Sequence, residues 1–263
     1  MDALPPNASE TVIDMTAVSA GALRDPNALA VENVQWRVAA GDYWVVAGPH
    51  GSGKSDFLMM TAGLMPPALG SYRLFGEAMP IFGDARLSTR LRLGLVFDGG
   101  QLFNQLTLAE NIALPLRYHR NLTPAEAGEA VETMLALTEL APWANSTPGA
   151  VGRNWQKRAG LARALMLHPA VLLLDNPLAG LDLRHTGWWL NFLDQLSAGH
   201  TLLAGQPLTL VVTADDLRPW RGRARQFAVL KGKQFVALGS QAELERSTEP
   251  LVREMLTANP PGR

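Results

Sequence analysis

An α/β fold follows from three features of the sequence. Short apolar runs such as Val171-Leu172-Leu173-Leu174 and Leu208-Thr209-Leu210-Val211-Val212 read as buried strands. Longer stretches with apolar residues at helical spacing lie between such runs, and a glycine-rich turn joins the strand over 43–47 to the helix after it. The chain has 263 residues, 47% hydrophobic and 18% charged, enough to bury a sizeable core and to exclude wholesale disorder. A net charge of -1 argues against a nucleic-acid partner, whose footprint is usually basic. The absence of Cys excludes disulfides, thiol chemistry and Cys-rich zinc sites.

Taken in order, the leader to residue 10 has neither a basic start nor an apolar run, so it is not read as a signal peptide. The apolar runs elsewhere fall well short of the roughly 20 residues that span a bilayer. A strand over 11–20 comes first; then come a strand, an Ala40-Gly41-Asp42 turn, the strand Tyr43–Ala47, the glycine-rich loop and a helix. Residues 71–79 and 92–97 are further strand candidates. Residues from about 101 to 160 read as a helical insert, in which Thr123-Pro124-Ala125-Glu126 forms a capping box ahead of Val131, Met134 and Leu135. Strand, helix and strand patterns return over 169–213, and a hairpin over 226–240 precedes one closing helix over 240–256.

The octapeptide Gly48-Pro49-His50-Gly51-Ser52-Gly53-Lys54-Ser55 fits G-x-x-x-x-G-K-[ST] at every position, with a strand before and a helix after. Glycines let the backbone wrap phosphates with its N–H groups pointing inward, and the helix N-terminus adds a favourable dipole. Lys54 is expected between the β- and γ-phosphates and the Ser55 hydroxyl on Mg²⁺, while His50 reads as a loop residue rather than a catalyst. The companion requirement, an acidic residue ending an apolar strand to hold the Mg²⁺ shell, is met by Asp175.

With the phosphate loop, the helical insert, the Leu172–Asp182 segment and Val211-Val212-Thr213-Ala214-Asp215-Asp216 in this order and spacing, the chain resembles an ABC-type ATPase subunit from about residue 10 to 258. The resemblance implies a P-loop NTPase fold, an ABC nucleotide-binding domain over 10–258. It would have a RecA-like core, an antiparallel β subdomain and a helical subdomain inserted over 101–160. Residues 96–117 are similar to the Mla-type ATPase, which drives phospholipid traffic through an Mce-type transporter; Gly100, Leu102, Phe103, Asn111, Ala113, Pro115 and Leu116 carry that likeness. Polar amino-acid importers share parts of the pattern. The resemblance implies ATP and Mg²⁺ as cofactors. Its implied partners are a second nucleotide-binding subunit, a transmembrane permease in the groove near Asp98 and an Mce-type substrate-binding protein. Its implied place is the cytoplasmic face of the inner membrane.

Departures from the family pattern carry as much as the matches. Asp98 stands where the family has a Gln, Asn176 where it has the catalytic Glu, and Ala214 where it has the switch His. An amide can orient water but is no useful base at neutral pH, and Ala offers no hydrogen bond. Val151-Gly152-Arg153-Asn154-Trp155 replaces the Leu-Ser-Gly-Gly-Gln signature, with Gly152 lacking the hydroxyl and Arg153 left as a residue that could reach phosphate. No ring stands in Ala17–Gly21, where the family stacks an aromatic on adenine. Asp182 matches a dimer-contact loop and equally suits a helix cap. Asp56 either competes for Lys54 or the metal, or caps the helix start. Trp188 and Trp189 read as packing, and Arg218, Arg221, Arg223 and Arg225 as a solvated face with lipid or partner contact as the alternative. Four losses together imply an ATP-binding subunit with weak or absent hydrolysis. A slow transport ATPase and an ATP-sensing scaffold remain as alternatives, and a small-molecule kinase is disfavoured by the insert and the tail hairpin.

Overall fold

The computed structural model describes residues 10–79 and 86–257. The leader over residues 1–9 lies outside the described residues. In chain order the elements are β1 (Thr11–Ala22), β2 (Asp25–Ala39), β3 (Tyr43–Ala47), α1 (Lys54–Thr61), β4 (Pro67–Leu74) and β5 (Glu77–Ala78). Then come α2 (Leu87–Arg90), β6 (Leu93–Val96), α3 (Leu108–His119), α4 (Pro124–Leu137) and α5 (Arg153–Leu165). The chain continues through β7 (Val171–Leu174), α6 (Leu183–Ala198), β8 (Thr209–Ala214), β9 (Gln226–Lys231), β10 (Gln234–Gly239), α7 (Gln241–Arg246) and α8 (Pro250–Thr257).

The strands form one sheet in the order β5-β4-β1-β2-β10-β9-β3-β8-β7-β6. One half, β5 to β2, is antiparallel, whereas β9, β3, β8, β7 and β6 run parallel. The parallel strands are apolar on both sides because both sheet faces are covered. Tyr43, Val45 and Ala47 of β3 enter the core shared with α3 to α6, while Trp44 and Val46 enter the core shared with α1 and the antiparallel strands. The two halves of the sheet meet at a single register pair, Gln234 of β10 with Glu32 of β2. Behind that seam Trp36, Phe57 and Phe235 pack with ring centroids 5.4–5.5 Å apart, and Trp44 meets Trp36 edge-on at 5.7 Å.

Two sequence expectations need correction. Residues 71–79 are not one strand: Phe75 and Gly76 both adopt positive φ (50° and 77°), turning the chain into the β4–β5 hairpin. The closing segment is two helices rather than one. Pro250 has no N–H to donate and its ring disfavours helical geometry in the residue before it, so α7 stops at Arg246 and α8 starts afresh. The capping box at Thr123 and Glu126 forms as expected, and Thr107 with Glu110 makes a second one that opens α3.

Candidate functional site

The sheet sets out the site by register. Residues 48–53 leave the C-terminal end of β3 and turn into α1, while parallel neighbours β8 and β7 end alongside at Ala214 and Leu174. Gly48 donates its N–H to the Ala214 carbonyl at 3.0 Å, which ties the loop to the end of β8. A Cβ on Gly48 would come within 2.8 Å of the Leu230 carbonyl, so only Gly allows this approach. Gly51 and Gly53 hold φ of 78° and 88°, the left-handed backbone that curls successive N–H groups toward one concavity. The Ser52 hydroxyl is shielded from solvent and has no hydrogen-bond partner among the described residues, a polar atom that an anion would satisfy.

Lys54 is buried, 7% exposed, and its ammonium donates to the Gly48 carbonyl at 2.7 Å and the Pro49 carbonyl at 2.9 Å. Its third contact is a carboxylate: Asp215 Oδ1 lies 2.7 Å away. Asp215 follows Ala214 directly and had no role in the sequence reading. Its other oxygen accepts from Asn176 Nδ2 at 2.6 Å. Asn176 has φ 44°, a left-handed position that Asn tolerates better than most residues, and its N–H donates to Thr213 Oγ1 at 3.0 Å. That hydroxyl donates to Asp175 Oδ1 at 2.8 Å. Asp175, Asn176 and Asp215 therefore stand together at the β7 and β8 ends beside Lys54. Ala214 is buried and presents no polar side-chain atom there.

Asp98, just past β6, is drawn to a different ammonium. Lys157 of α5 is almost wholly buried and sits 2.8 Å from Asp98 Oδ1. It also donates to the carbonyls of Asn176 at 3.1 Å and Ala179 at 2.9 Å. Further along α5, Arg163 donates to the Gly100 and Gln101 carbonyls, both at 2.9 Å. Between them Gly160 has no side chain because a Cβ there would lie 2.7 Å from Gly100 Cα. Thus residues 98–101 are seated on α5 by three residues spaced one turn apart. Sequence reasoning missed Lys157, whose partners come from two separate segments of chain, Asp98 and residues 176–179.

Gly152 is the N-cap of α5 without a side-chain cap, the place where a Ser would have one. Arg153 opens the helix with its guanidinium against Gly99. Asn154, the next residue, contacts the His185 ring at Nε2, and Arg158 reaches His185 Nδ1 at 3.0 Å. The Arg158 guanidinium also lies 3.8 Å from the Trp188 ring centroid and pairs with Glu139 at 2.7 Å. Burial, then the positive charge of Arg158, lowers the His185 pKa. Asp182 is the N-cap of α6, its Oδ1 accepting from the His185 N–H at 2.8 Å.

Asp56 faces neither Lys54 nor a cap position; Oδ1 accepts from the Leu23 N–H of the β1–β2 turn at 2.9 Å. Trp189 is fully buried and Trp188 stacks on Phe192. The basic cluster is not a bare cationic face. Arg218 pairs with Asp216, Arg221 with Glu245 and Arg223 with Asp194, while Arg225 donates to the Gly41 carbonyl.

Residues 31–179 match the family described as ABC transporter. The chain is 33% identical over 226 residues to a probable ribonucleotide transport ATP-binding protein, mkl, of Mycobacterium tuberculosis, covering 86% of this chain and 61% of that protein. The chain thus spans about three fifths of the length of that mycobacterial relative. It is 29% identical over 246 residues to the intermembrane phospholipid transport system ATP-binding protein MlaF of Escherichia coli, covering 93% of this chain and 88% of MlaF. Among solved structures it resembles a dimeric post-hydrolysis state of the ATP-binding cassette MJ0796 bound to ADP and Pi. That likeness has a TM-score of 0.74 at 26% identity and covers 84% of this chain and 95% of the other. The sheet with its flanking helices is that of an ABC-type nucleotide-binding domain. Among the described residues no helix is long and apolar enough to cross a membrane.

Proposed function

The chain belongs to the ABC transporter family, and on that premise we propose that it is a nucleotide-binding, hydrolysis-deficient subunit of a lipid transporter of the Mla/Mce type. In that assembly it pairs with a second nucleotide-binding subunit and docks on a membrane permease. The likeness to MlaF supports the lipid reading, because it runs nearly end to end through both chains. The name of the mycobacterial relative points to another cargo, but that match takes in only 61% of its length.

One observation supports the loss of hydrolysis: the side chains at the three expected positions are engaged with protein partners or carry no polar atom. Asp98 is paired with Lys157, the Asn176 amide N–H is given to Asp215, and Ala214 has nothing to offer. Loss of a general base alone lowers rates by about 10²–10⁴. The glycine cradle and the orphaned Ser52 hydroxyl fit a bound phosphate chain. Ser55 and Asp175 would hold Mg²⁺, which neutralises phosphate charge when bound and ordinarily keeps several waters. Loop amides and Lys54 would grip the phosphates, and Asp182 and Arg153 would face the second subunit.

The test is purification of the natural complex with its lipid, assayed for ATP turnover as wild type, Lys54→Ala and Asn176→Glu. Wild-type turnover at background, with a permease and phospholipid in the complex, is expected. Robust turnover abolished by Lys54→Ala overturns the hydrolysis-deficient reading. A complex without permease or lipid overturns the transporter reading.

A further inference from the structure

We propose that the cleft between the C-terminal end of α6 and the turn before β9 binds a small organic carboxylate, with the Tyr43 hydroxyl as the donor at its floor. The cleft has a volume of about 150 Å³, and Tyr43, Asp194, Ser197, Ala198, Arg223 and Arg225 line it. A cavity of about this volume takes up one benzene molecule, so the enclosed part of the occupant is of that size. The site is separate from the phosphate loop. Tyr43 begins β3 and the loop leaves the other end of that strand, which sets the two roughly 15 Å apart.

The floor carries an unmet donor. Tyr43 is 1% exposed, and its hydroxyl is shielded from solvent with no hydrogen-bond partner among the described residues. The ring packs edge-on against Trp220 with centroids 6.3 Å apart, a contact that a Phe would make equally well. Packing therefore accounts for the ring and leaves the hydroxyl unexplained. A buried hydroxyl without a partner costs stability, which favours an occupant that accepts from it. Burial pushes the phenol pKa up, the charge of Asp194 adds to this and Arg223 opposes it, so the group keeps its proton at neutral pH.

The walls decide which acceptor fits. Asp194 is neutralised by its pair with Arg223. Arg225 gives one N–H to the Gly41 carbonyl, out of the five that a guanidinium carries. Ser197, 4% exposed, adds a second hydroxyl. Two guanidinium groups against one carboxylate leave a single positive charge, and the complement is a monoanion with acceptor oxygens. Ala198 adds an apolar patch that suits the carbon end of a carboxylate and has no counterpart on inorganic phosphate.

The experiment is fluorine NMR of the full chain carrying fluorotyrosine, titrated with benzoate, acetate and inorganic phosphate at constant ionic strength. The chain has three tyrosines, so Tyr43→Phe assigns the Tyr43 resonance, and those of Tyr72 and Tyr118 serve as controls. Benzoate is expected to move the Tyr43 resonance saturably and to leave the other two in place, with phosphate far weaker. Arg225→Gln is expected to weaken benzoate binding about tenfold. Thermal melts of unlabelled protein give a second readout. Tyr43→Phe is expected to raise Tm in anion-free buffer, because it deletes the unpaired donor, and to remove most of the rise in Tm that benzoate gives wild type. A Tyr43 resonance that no anion moves overturns the proposal, as does an equal benzoate-dependent rise in Tyr43→Phe. A lower Tm for anion-free Tyr43→Phe means that the hydroxyl already has a partner, and overturns it too. Phosphate acting as strongly as benzoate overturns the assignment to a carboxylate.

Discussion

Lys157→Met keeps the length of the side chain and removes its ammonium, which makes it a direct test of how the site's loops are held. The lost contacts are hydrogen bonds of 3.1 Å to the Asn176 carbonyl and 2.9 Å to the Ala179 carbonyl, and the 2.8 Å pair with Asp98. Hydrogen bonds to a charged donor are worth about 1.5–3 kcal/mol each, so the two carbonyl contacts together carry about 3–6 kcal/mol. The buried thioether of Met returns about 1 kcal/mol of this, leaving a net loss of about 3 kcal/mol. That is a large part of the roughly 5–15 kcal/mol that stabilises a domain, and lowers Tm by about 10 °C at this chain length. Asp98→Asn differs in kind. Its side chain is 43% exposed and solvent-screened, so the loss is about 1 kcal/mol or less. Guanidinium unfolding followed by tryptophan fluorescence measures both. Equal losses in the two variants, or a Lys157→Met loss below about 1 kcal/mol, refute the view that the buried carbonyls rather than Asp98 hold this lysine.

Two more expectations concern the same elements. Gly160→Ala places a methyl against Gly100 Cα and its carbonyl and is expected to lower stability by about 1–3 kcal/mol in the same unfolding assay; a neutral result means the loop shifts freely. The His185 pKa is lowered on folding by burial and by Arg158, so its stabilising contribution is present above its unfolded value of about 6.5 and is lost as pH falls toward the folded pKa. Thermal melts from pH 7 to pH 5 are expected to show a slope that His185→Gln reduces; an unchanged slope assigns the effect elsewhere, with His119, also lowered by burial, as the first alternative.

The phosphate loop was legible because its requirements are local: glycines at fixed places, a strand before and a helix after. The α/β order and the Thr123 capping box were legible for the same reason, since each is written in neighbouring residues. The break at Pro250 was also written locally and was overridden by the apolar spacing around it. Asp215 escaped because its meaning comes from Lys54 and Asn176, which only strand register brings beside it. Lys157 escaped because a lysine in a basic-looking helix gives no sign that it will be buried under two loops. The arginines over 218–225 looked like a charged face because Asp194 and Glu245 are distant in sequence.

The seam between β2 and β10 has one further consequence. Across it the backbone contributes the single Gln234–Glu32 register pair, with the Glu32 N–H donating to the Lys233 carbonyl at 2.7 Å. Lys233 pairs with Glu32 across it at 3.4 Å, and an apolar cluster that includes Trp36, Phe57 and Phe235 supplies most of the join. Apolar contact weakens on cooling, whereas hydrogen-bonded ladders are far less affected. Cold should therefore loosen the antiparallel half from the phosphate-loop half before it frays either one, so the two halves part like pieces glued rather than sewn.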